Sequence, residues 1–127
     1  MPTTDADRVH EPLDHAECLR LLATPGLGRL AYTRGALPVV QPVSFRLRDD
    51  DVLIPVGFGS PLVEAVRGAV VAFQTDSYDG ITRTGWTVTV VGPSRVLGCS
   101  APEPPRHSPA IAVHLGLVEG WRTTLPA

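Results

Sequence analysis

A succession of β-type segments separated by turn residues, beginning near residue 28, constrains the fold of this chain more than any other feature. The segments are rich in β-branched and aromatic residues, and short stretches such as RGA, RDDD and SYDGITRT between them have the composition of turns. The segments are GRLAYT, LPVVQPVSFRL, DVLIPV, AVVAFQTD, GWTVTVVGPSRVL and, after a proline-rich connector, AIAVHLGLV. About six short strands of this kind predict a mainly β fold, a small antiparallel barrel.

Two short helices are predicted beside the strands. The first covers DHAECLRLL, where Asp14 is the expected N-cap and Glu17 follows three residues later, as in a capping box. The second is expected over residues 61–67, with Ser60 as its N-cap and a proline in its first position. The polar residues 1–12 predict a flexible N-terminal arm, which leaves residues 13–127 as a single barrel domain.

Several predicted strands are apolar on both faces, and AVVAF at residues 69–73 is the clearest case. A small barrel buries only one face of its sheet, so the other face of such strands needs a second cover. We therefore expect a homodimer. The same run is much too short to cross a bilayer, and the start of the chain has no apolar segment typical of a signal peptide. No membrane contact is expected.

Charge and cysteine content exclude further classes of function. The formal net charge is −2, whereas nucleic-acid binding requires clustered cations, so no nucleic-acid partner is predicted. Cys18 and Cys99 lie far apart and suit free thiols in a reducing cytoplasm. Cys18 falls on the apolar face of the first helix, which predicts core packing.

Candidate catalytic and metal-binding groups give little signal. His10, His15, His107 and His114 show no metal-ligand spacing with one another or with the cysteines, so no metal site is predicted. The carboxylates at 49–51 are interpreted as a solvated hairpin turn. GFGSP does not match the nucleophile elbow G-x-S-x-G, and catalytic residues stay unassigned.

The stretch VLIPVGFGSPL, residues 52–62, has the layout of a strand end, a glycine-rich loop and a helix start, which suits phosphate binding. It contains no lysine, arginine or threonine. Two interpretations stay open: a phosphate cradle without its cations, or a turn that only joins a strand to a helix. In the first, the hydroxyl of Ser60 and the amides around Val63 are the remaining donors.

Three blocks follow one another along the chain: ECLRLLATPGLGRLAYTRGALPVVQPVSFRL, GSPLVEAVRGAVVAFQTD and TRTGWTVTVVG. Together they resemble the pyridoxamine 5′-phosphate oxidase-related proteins, the FMN-binding split barrels, and their short actinobacterial members in particular. The resemblance covers about residues 12–100 and, more weakly, VEGWR at 118–122. It implies a six-stranded split barrel, a homodimer, and FMN in a groove between the subunits.

The resemblance also implies where the cofactor lies. The strand QPVSF would run beside the isoalloxazine ring, Trp86 would pack close to the groove, and Trp121 with Arg122 would come from the tail. Asp76, Tyr78 and Asp79 would lie near a loop that edges the groove. The implied cofactor-binding residues are Pro42, Val43, Ser44, Phe45, Gly59, Ser60, Trp86 and Arg122.

The chain departs from its apparent relatives at the phosphate loop. Pro55, Val56 and Pro61 stand where relatives usually carry arginine, threonine and lysine, and Gln74 replaces a common glutamate. A charge-assisted hydrogen bond contributes about 1.5–3 kcal/mol, so the loss of two cations is expected to weaken FMN binding. Oxidation of pyridoxamine phosphate itself is not expected, because the substrate phosphate would need the missing cations.

Two functions are therefore carried forward. The first is an FMN-dependent oxidoreductase that acts on a small organic substrate in the interface groove. The second is a flavin-free barrel, used as a small-molecule binder or a cofactor-independent catalyst in specialised metabolism. Its polar groups would come from Gln41, Ser44, Gln74, Tyr78 and Trp86.

Overall fold

The computed structural model describes residues 9–98 and 109–126, so Cys99, His107 and most of the proline-rich connector lie outside it. Eight strands and two helices follow one another along these residues. The helices are α1 (His15–Leu22) and α2 (Pro61–Val66). The strands are β1 (Val9–Pro12), β2 (Gly26–Arg34), β3 (Leu37–Arg48), β4 (Asp51–Pro55), β5 (Val70–Asp79), β6 (Thr84–Leu97), β7 (Ala110–His114) and β8 (Leu117–Thr124).

Six of these strands close into an antiparallel barrel. The hydrogen-bonded order is β6–β5–β2–β3–β4–β7, and β7 pairs again with β6 to complete the ring. One edge of β6 pairs with β5, and the other edge is shared, because residues 84–91 pair with β8 and residues 94–97 pair with β7. β8 and β1 thus lie outside the barrel, on the edge of β6. The predicted six-stranded split barrel is confirmed.

Three segments differ from their predictions. AIAVHLGLV, predicted as one strand, forms β7 and the beginning of β8, because a turn at residues 115–116 separates them. Residues 9–12, assigned to a flexible arm, form β1, since the outer edge of β8 offers free backbone groups for pairing. The predicted turn SYDGITRT is shorter, because β5 continues to Asp79 and β6 begins at Thr84.

The helices begin where the sequence predicts and cover the barrel core. The side chain of Asp14 accepts a hydrogen bond from the Glu17 amide at 2.8 Å, and Ser60 caps α2 in the same way. α1 packs on β8 and β6, and α2 packs on β2 and β6. Cys18 is buried in this core, as predicted. Neither helix in the described ranges has the length and apolar character that a membrane crossing requires.

The outer face of the sheet carries a row of apolar side chains that are partly or largely exposed. Val40, Ala31, Ala72, Val91 and Leu117 are successive cross-strand partners from β3 to β8, so their side chains share one face. The side chains at both ends of the row, Val40 and Leu117, are more than half exposed. The predicted homodimer would use a surface of this kind.

Candidate functional site

A cleft of about 430 Å³ lies where β5, β6 and β8 continue beyond the barrel and β1 adds a fourth strand. Two of the predicted site residues, Trp86 and Arg122, line it together. The remaining lining residues are Glu11, Ser77, Tyr78, Asp79, Thr84, Gly85 and Thr124.

The floor of the cleft follows from strand register. Ser77, Trp86, Arg122 and Glu11 are successive cross-strand partners on β5, β6, β8 and β1. Directly opposed residues share one face of a sheet, and neighbouring strands lie about 4.8 Å apart. Trp86 is half-buried and packs against the hydrophobic core, whereas Arg122 is about half exposed. The strand register therefore places the indole of Trp86, which packs on the core, beside the solvent-accessible guanidinium of Arg122.

Helix α1 supplies the counter-charge for Arg122. Nη2 of Arg122 lies 3.6 Å from Oε1 of Glu17, which belongs to α1. Glu17 also accepts hydrogen bonds from Arg20, at 2.9 Å from Nε and 2.6 Å from Nη2. These bonds from Arg20, with a smaller contribution from Arg122, lower the pKa of Glu17. The Glu17 carboxylate thus contacts two guanidinium groups, of which only Arg122 lines the cleft.

The two acidic residues that line the cleft, Asp79 and Glu11, differ in their contacts. Oδ1 of Asp79 accepts hydrogen bonds from the amides of Ile81 and Thr82, at 2.8 and 3.3 Å, so this carboxylate holds the turn between β5 and β6. Glu11 is exposed and has no ion-pair partner within residues 9–98 and 109–126. A ligand in the cleft would therefore meet the charges of Arg122, Glu11 and Asp79, of which only the Asp79 carboxylate is fixed by the turn.

The predicted flavin strand QPVSF is divided between two environments. Val43 and Phe45 point into the barrel and are buried, while Pro42 and Ser44 lie on the outer face and are exposed. The alternation of side chains along a strand requires this division. A ligand on the outer face would therefore meet only the backbone of Val43 and Phe45.

The stretch from Val52 to Leu62 forms a strand end, a turn and a helix start. Gly59 adopts a φ of 72°, and the Ser60 amide donates to the Gly57 carbonyl at 3.2 Å. The Leu62 amide donates to Oγ of Ser60, and the Val63 amide donates to the Ser60 carbonyl. The amides of Leu62 and Val63 are thus engaged within the turn, and Oγ of Ser60 is used there as an acceptor. This geometry favours the turn interpretation, and flavin contacts at Gly59 and Ser60 stay a prediction.

The other polar candidates have structural partners. Gln41 accepts a hydrogen bond from the Tyr32 hydroxyl at 3.1 Å, and Gln74 donates to Thr89 at 3.0 Å. Trp121 lies on the outer face, next to Thr123 and edge-on to His10 at a ring separation of 6.3 Å.

The carboxylates at 49–51 play two roles. Asp49 and Asp50 form the exposed turn that was predicted, whereas Asp51 belongs to β4 and is mostly buried. Arg95 donates two hydrogen bonds to Asp51, at 3.0 and 2.6 Å, and these lower the pKa of the carboxyl. Nδ1 of His114 lies 3.7 Å from Asp51, so this histidine has an electrostatic contact on the barrel wall, away from the cleft.

Sequence reasoning missed Glu11, Ser77, Thr84 and Thr124 as cleft residues. An alternating pattern was available in the sequence, since Ser77-x-Asp79, Thr84-x-Trp86 and Arg122-x-Thr124 each place polar or amphipathic groups at a spacing of two. The pattern becomes informative only when the register of β5, β6 and β8 is known. Glu11 carries no such signal.

Comparison with known proteins identifies the family to which this chain is similar. The sequence model of the family described as pyridoxamine 5′-phosphate oxidase matches residues 14–125. The uncharacterized protein Rv0080 of Mycobacterium tuberculosis is 40% identical over 85 residues, which make up 63% of this chain and 56% of that protein. The matched region therefore spans little more than half the length of this relative.

Solved structures share the fold over nearly the whole chain. The FAD binding protein from Mycobacterium smegmatis has a TM-score of 0.73 and 28% sequence identity, covering 90% of this chain and 98% of its own. A FAD-binding protein from Mesorhizobium loti has a TM-score of 0.74 and 18% identity, covering 91% of this chain and 98% of its own. With most of its length matched by the family model, the chain belongs to the pyridoxamine 5′-phosphate oxidase family.

Proposed function

We propose that this chain is a homodimeric flavoprotein that uses its flavin for redox chemistry on a small organic substrate. Family membership supports the proposal, as does the match to a FAD binding protein of Mycobacterium smegmatis at 28% identity. The structural observation that carries it is the cross-strand pair of Trp86 and Arg122 in a cleft of about 430 Å³.

The residues of the cleft suit a flavin. The indole of Trp86 offers an aromatic face for stacking, and Arg122 offers planar donors for ribityl oxygens. Hydroxyls of Ser77, Thr84 and Thr124 provide further hydrogen-bonding groups. When bound, the flavin supplies hydride or electron transfer, and the protein supplies position and polarity.

We further propose that FAD, rather than the FMN expected from the sequence, is the preferred flavin. FMN binding depends strongly on its terminal phosphate, and the loop at Pro55, Val56 and Pro61 provides no cation for it. The amides of Ser60, Leu62 and Val63 are engaged in the turn itself. The adenosine of FAD adds an aromatic ring that gains from stacking without a phosphate grip.

The proposed dimer pairs two copies through the apolar row from Val40 to Leu117 on the outer face. This would cover side chains that are otherwise exposed to water. The buried free thiol of Cys18 suits the cytoplasm, where we place the protein.

A titration of flavin-free protein with FAD, followed by flavin fluorescence, tests the proposal. Arg122→Gln should weaken FAD binding, whereas Arg20→Gln should leave it unchanged. The pair is matched because both guanidinium groups contact Glu17, but only Arg122 lines the cleft. Equal effects of the two substitutions would argue against Arg122 as a flavin ligand.

The second candidate function is a flavin-free barrel that binds an uncharged small molecule. The engaged amides and the missing cations of the β4–α2 turn favour it. It predicts a colourless, folded protein whose intrinsic fluorescence does not change when FAD is added. The same titration therefore separates the two functions.

A further inference from the structure

The cross-strand row that contains Trp86 and Arg122 ends in a carboxylate. Glu11 on β1 lies directly opposite Arg122, and Arg122 lies directly opposite Trp86. With strands about 4.8 Å apart, the backbone positions of Trp86 and Glu11 are about 10 Å apart on one face of the sheet. A ligand that consists of one aromatic ring and a short substituent is long enough to reach from Trp86 to Glu11.

Arg122, which lies between Trp86 and Glu11, already contacts a carboxylate of helix α1. Among the ion pairs of the described residues, Arg122 contacts Glu17 of α1 at 3.6 Å and makes no pair with Glu11. The Asp79 carboxylate accepts hydrogen bonds from two turn amides. Glu17 is itself bound by Arg20 at 2.6 Å, so those two charges balance each other. The charged side chains that line the cleft are one cation, Arg122, and two carboxylates, Asp79 and Glu11, which give the cleft a net negative charge with Glu11 at its outer wall.

We propose that Glu11 sets the charge preference of the flavin-free cleft, which binds planar-ring compounds with a protonated amine or no charge more tightly than ring acids. Because the same indole would hold the flavin, the inference concerns the cleft before flavin binds and goes beyond the proposed function. A ring gains from stacking on Trp86, a cation gains further from the indole face, and the carboxylate of Glu11 repels anions. Because Glu11 is exposed, we expect each charge effect to be about two- to fivefold.

Three probes of similar size and different charge test this inference: 2-phenylethylamine, 2-phenylethanol and 3-phenylpropionate. The chain has two tryptophans, so a Trp121→Phe background makes Trp86 fluorescence the reporter. The amine should bind about fivefold more tightly than the acid, with the alcohol between them, and high salt should reduce the difference. If Trp121→Phe does not fold, ligand-observed NMR on the unaltered protein gives the same comparison.

Glu11→Gln should bring the three affinities together, and Glu119→Gln should not. Glu119 is the matched control because it is an exposed glutamate on β8 that faces the opposite side of the sheet. An acid that binds as tightly as the amine, an unchanged preference in Glu11→Gln, or no binding of any probe would overturn the inference.

Parallel FAD titrations separate this inference from the proposed function. FAD binding without a charge preference among the probes overturns only the role of Glu11. A charge preference without FAD binding contradicts the flavoprotein proposal and leaves the charge selection by Glu11 standing.

Discussion

Trp86 and Arg122 lie directly opposite each other on β6 and β8, so the indole and the guanidinium share one face of the sheet. β8 does not belong to the closed barrel, and this end of β6 continues past the strands that close it. The pair therefore stands at the rim of the barrel, where an open cleft replaces the packed interior. The pairing register of β6 with β8 thus brings together the indole and the guanidinium on which the proposed function depends.

Replacement of Trp86 by alanine should weaken FAD binding about three- to tenfold, because an aromatic stacking face contributes about 0.5–1.5 kcal/mol. Trp86→Phe keeps an aromatic face and should retain most of the affinity. Fluorescence titrations of both variants, with unfolding curves as a control for stability, measure the effect. If the phenylalanine variant loses as much affinity as the alanine variant, stacking is not the contribution of Trp86.

Cations introduced at the β4–α2 turn should create a preference for FMN over riboflavin. Pro55 and Pro61 are exposed, so Pro55→Arg with Pro61→Lys adds two groups that can reach a phosphate. After reduction for solvent exposure, we expect about tenfold tighter FMN binding and unchanged riboflavin binding. Ala23→Arg with Thr24→Lys, in the exposed turn after α1, adds the same charge elsewhere and should have no such effect.

An equal gain in the control variant would mean that net charge, rather than the position of the turn, attracts FMN. An unaltered protein that already prefers FMN strongly over riboflavin would contradict our interpretation of this turn. Another arginine would then hold the phosphate.

Asp51→Asn should lower the free energy of unfolding at neutral pH by about 1–2 kcal/mol, because it breaks the two-bond contact with Arg95. The pKa of Asp51 is lowered from its ordinary value of 3.8, chiefly by the Arg95 hydrogen bonds. A lowered folded-state pKa stabilises the fold fully above the ordinary value, and this contribution is lost as pH falls through the folded pKa.

The difference between wild type and Asp51→Asn should therefore be complete at neutral pH and shrink in strong acid. Urea unfolding at several pH values measures it. Glu64→Gln is the control, because Glu64 forms an exposed pair with Arg67 at 3.4 Å and should change stability little. A difference that grows as pH falls would contradict the sign of this argument.

Gly120 lets helix α1 approach β8, so Gly120→Ala should destabilise the fold. A Cβ at this position would lie 2.5 Å from Sγ of Cys18 and 3.2 Å from Cδ1 of Leu13. We expect a loss of about 1–3 kcal/mol, as for other overpacked cores. Cys18→Ala removes the closest obstacle, so the double substitution should lower stability by less than the sum of the single effects. Strict additivity in unfolding measurements would show that this contact is not the cause.

The sequence predicted the barrel well because its signals are local. Each signal depends on a few neighbouring residues. The structure has both predicted N-caps, Asp14 and Ser60, and the six barrel strands. β1 escaped prediction because a polar edge strand has no apolar alternation to reveal it. The break between β7 and β8 escaped because a two-residue turn at Leu115 and Gly116 interrupts a continuous apolar run.

The site was harder to predict because its residues meet through register. Trp86 and Arg122 were named from family resemblance, and the structure brings them together through the pairing of β6 with β8. Glu11 could not be found, since its place in the cleft depends on a strand pairing between residues about 110 positions apart. For Ser60, the layout suggested phosphate binding, but the hydroxyl accepts a hydrogen bond from the Leu62 amide of its own helix.

The most direct test of the central claim is a titration of the purified, flavin-free protein with FAD, FMN and riboflavin, followed by flavin fluorescence. We predict saturable FAD binding, with FMN and riboflavin weaker than FAD and within about threefold of each other, because the β4–α2 turn provides no charged grip on the phosphate. The binding should decrease in Arg122→Gln and persist in Arg20→Gln. A folded protein that binds none of the three flavins would contradict the account.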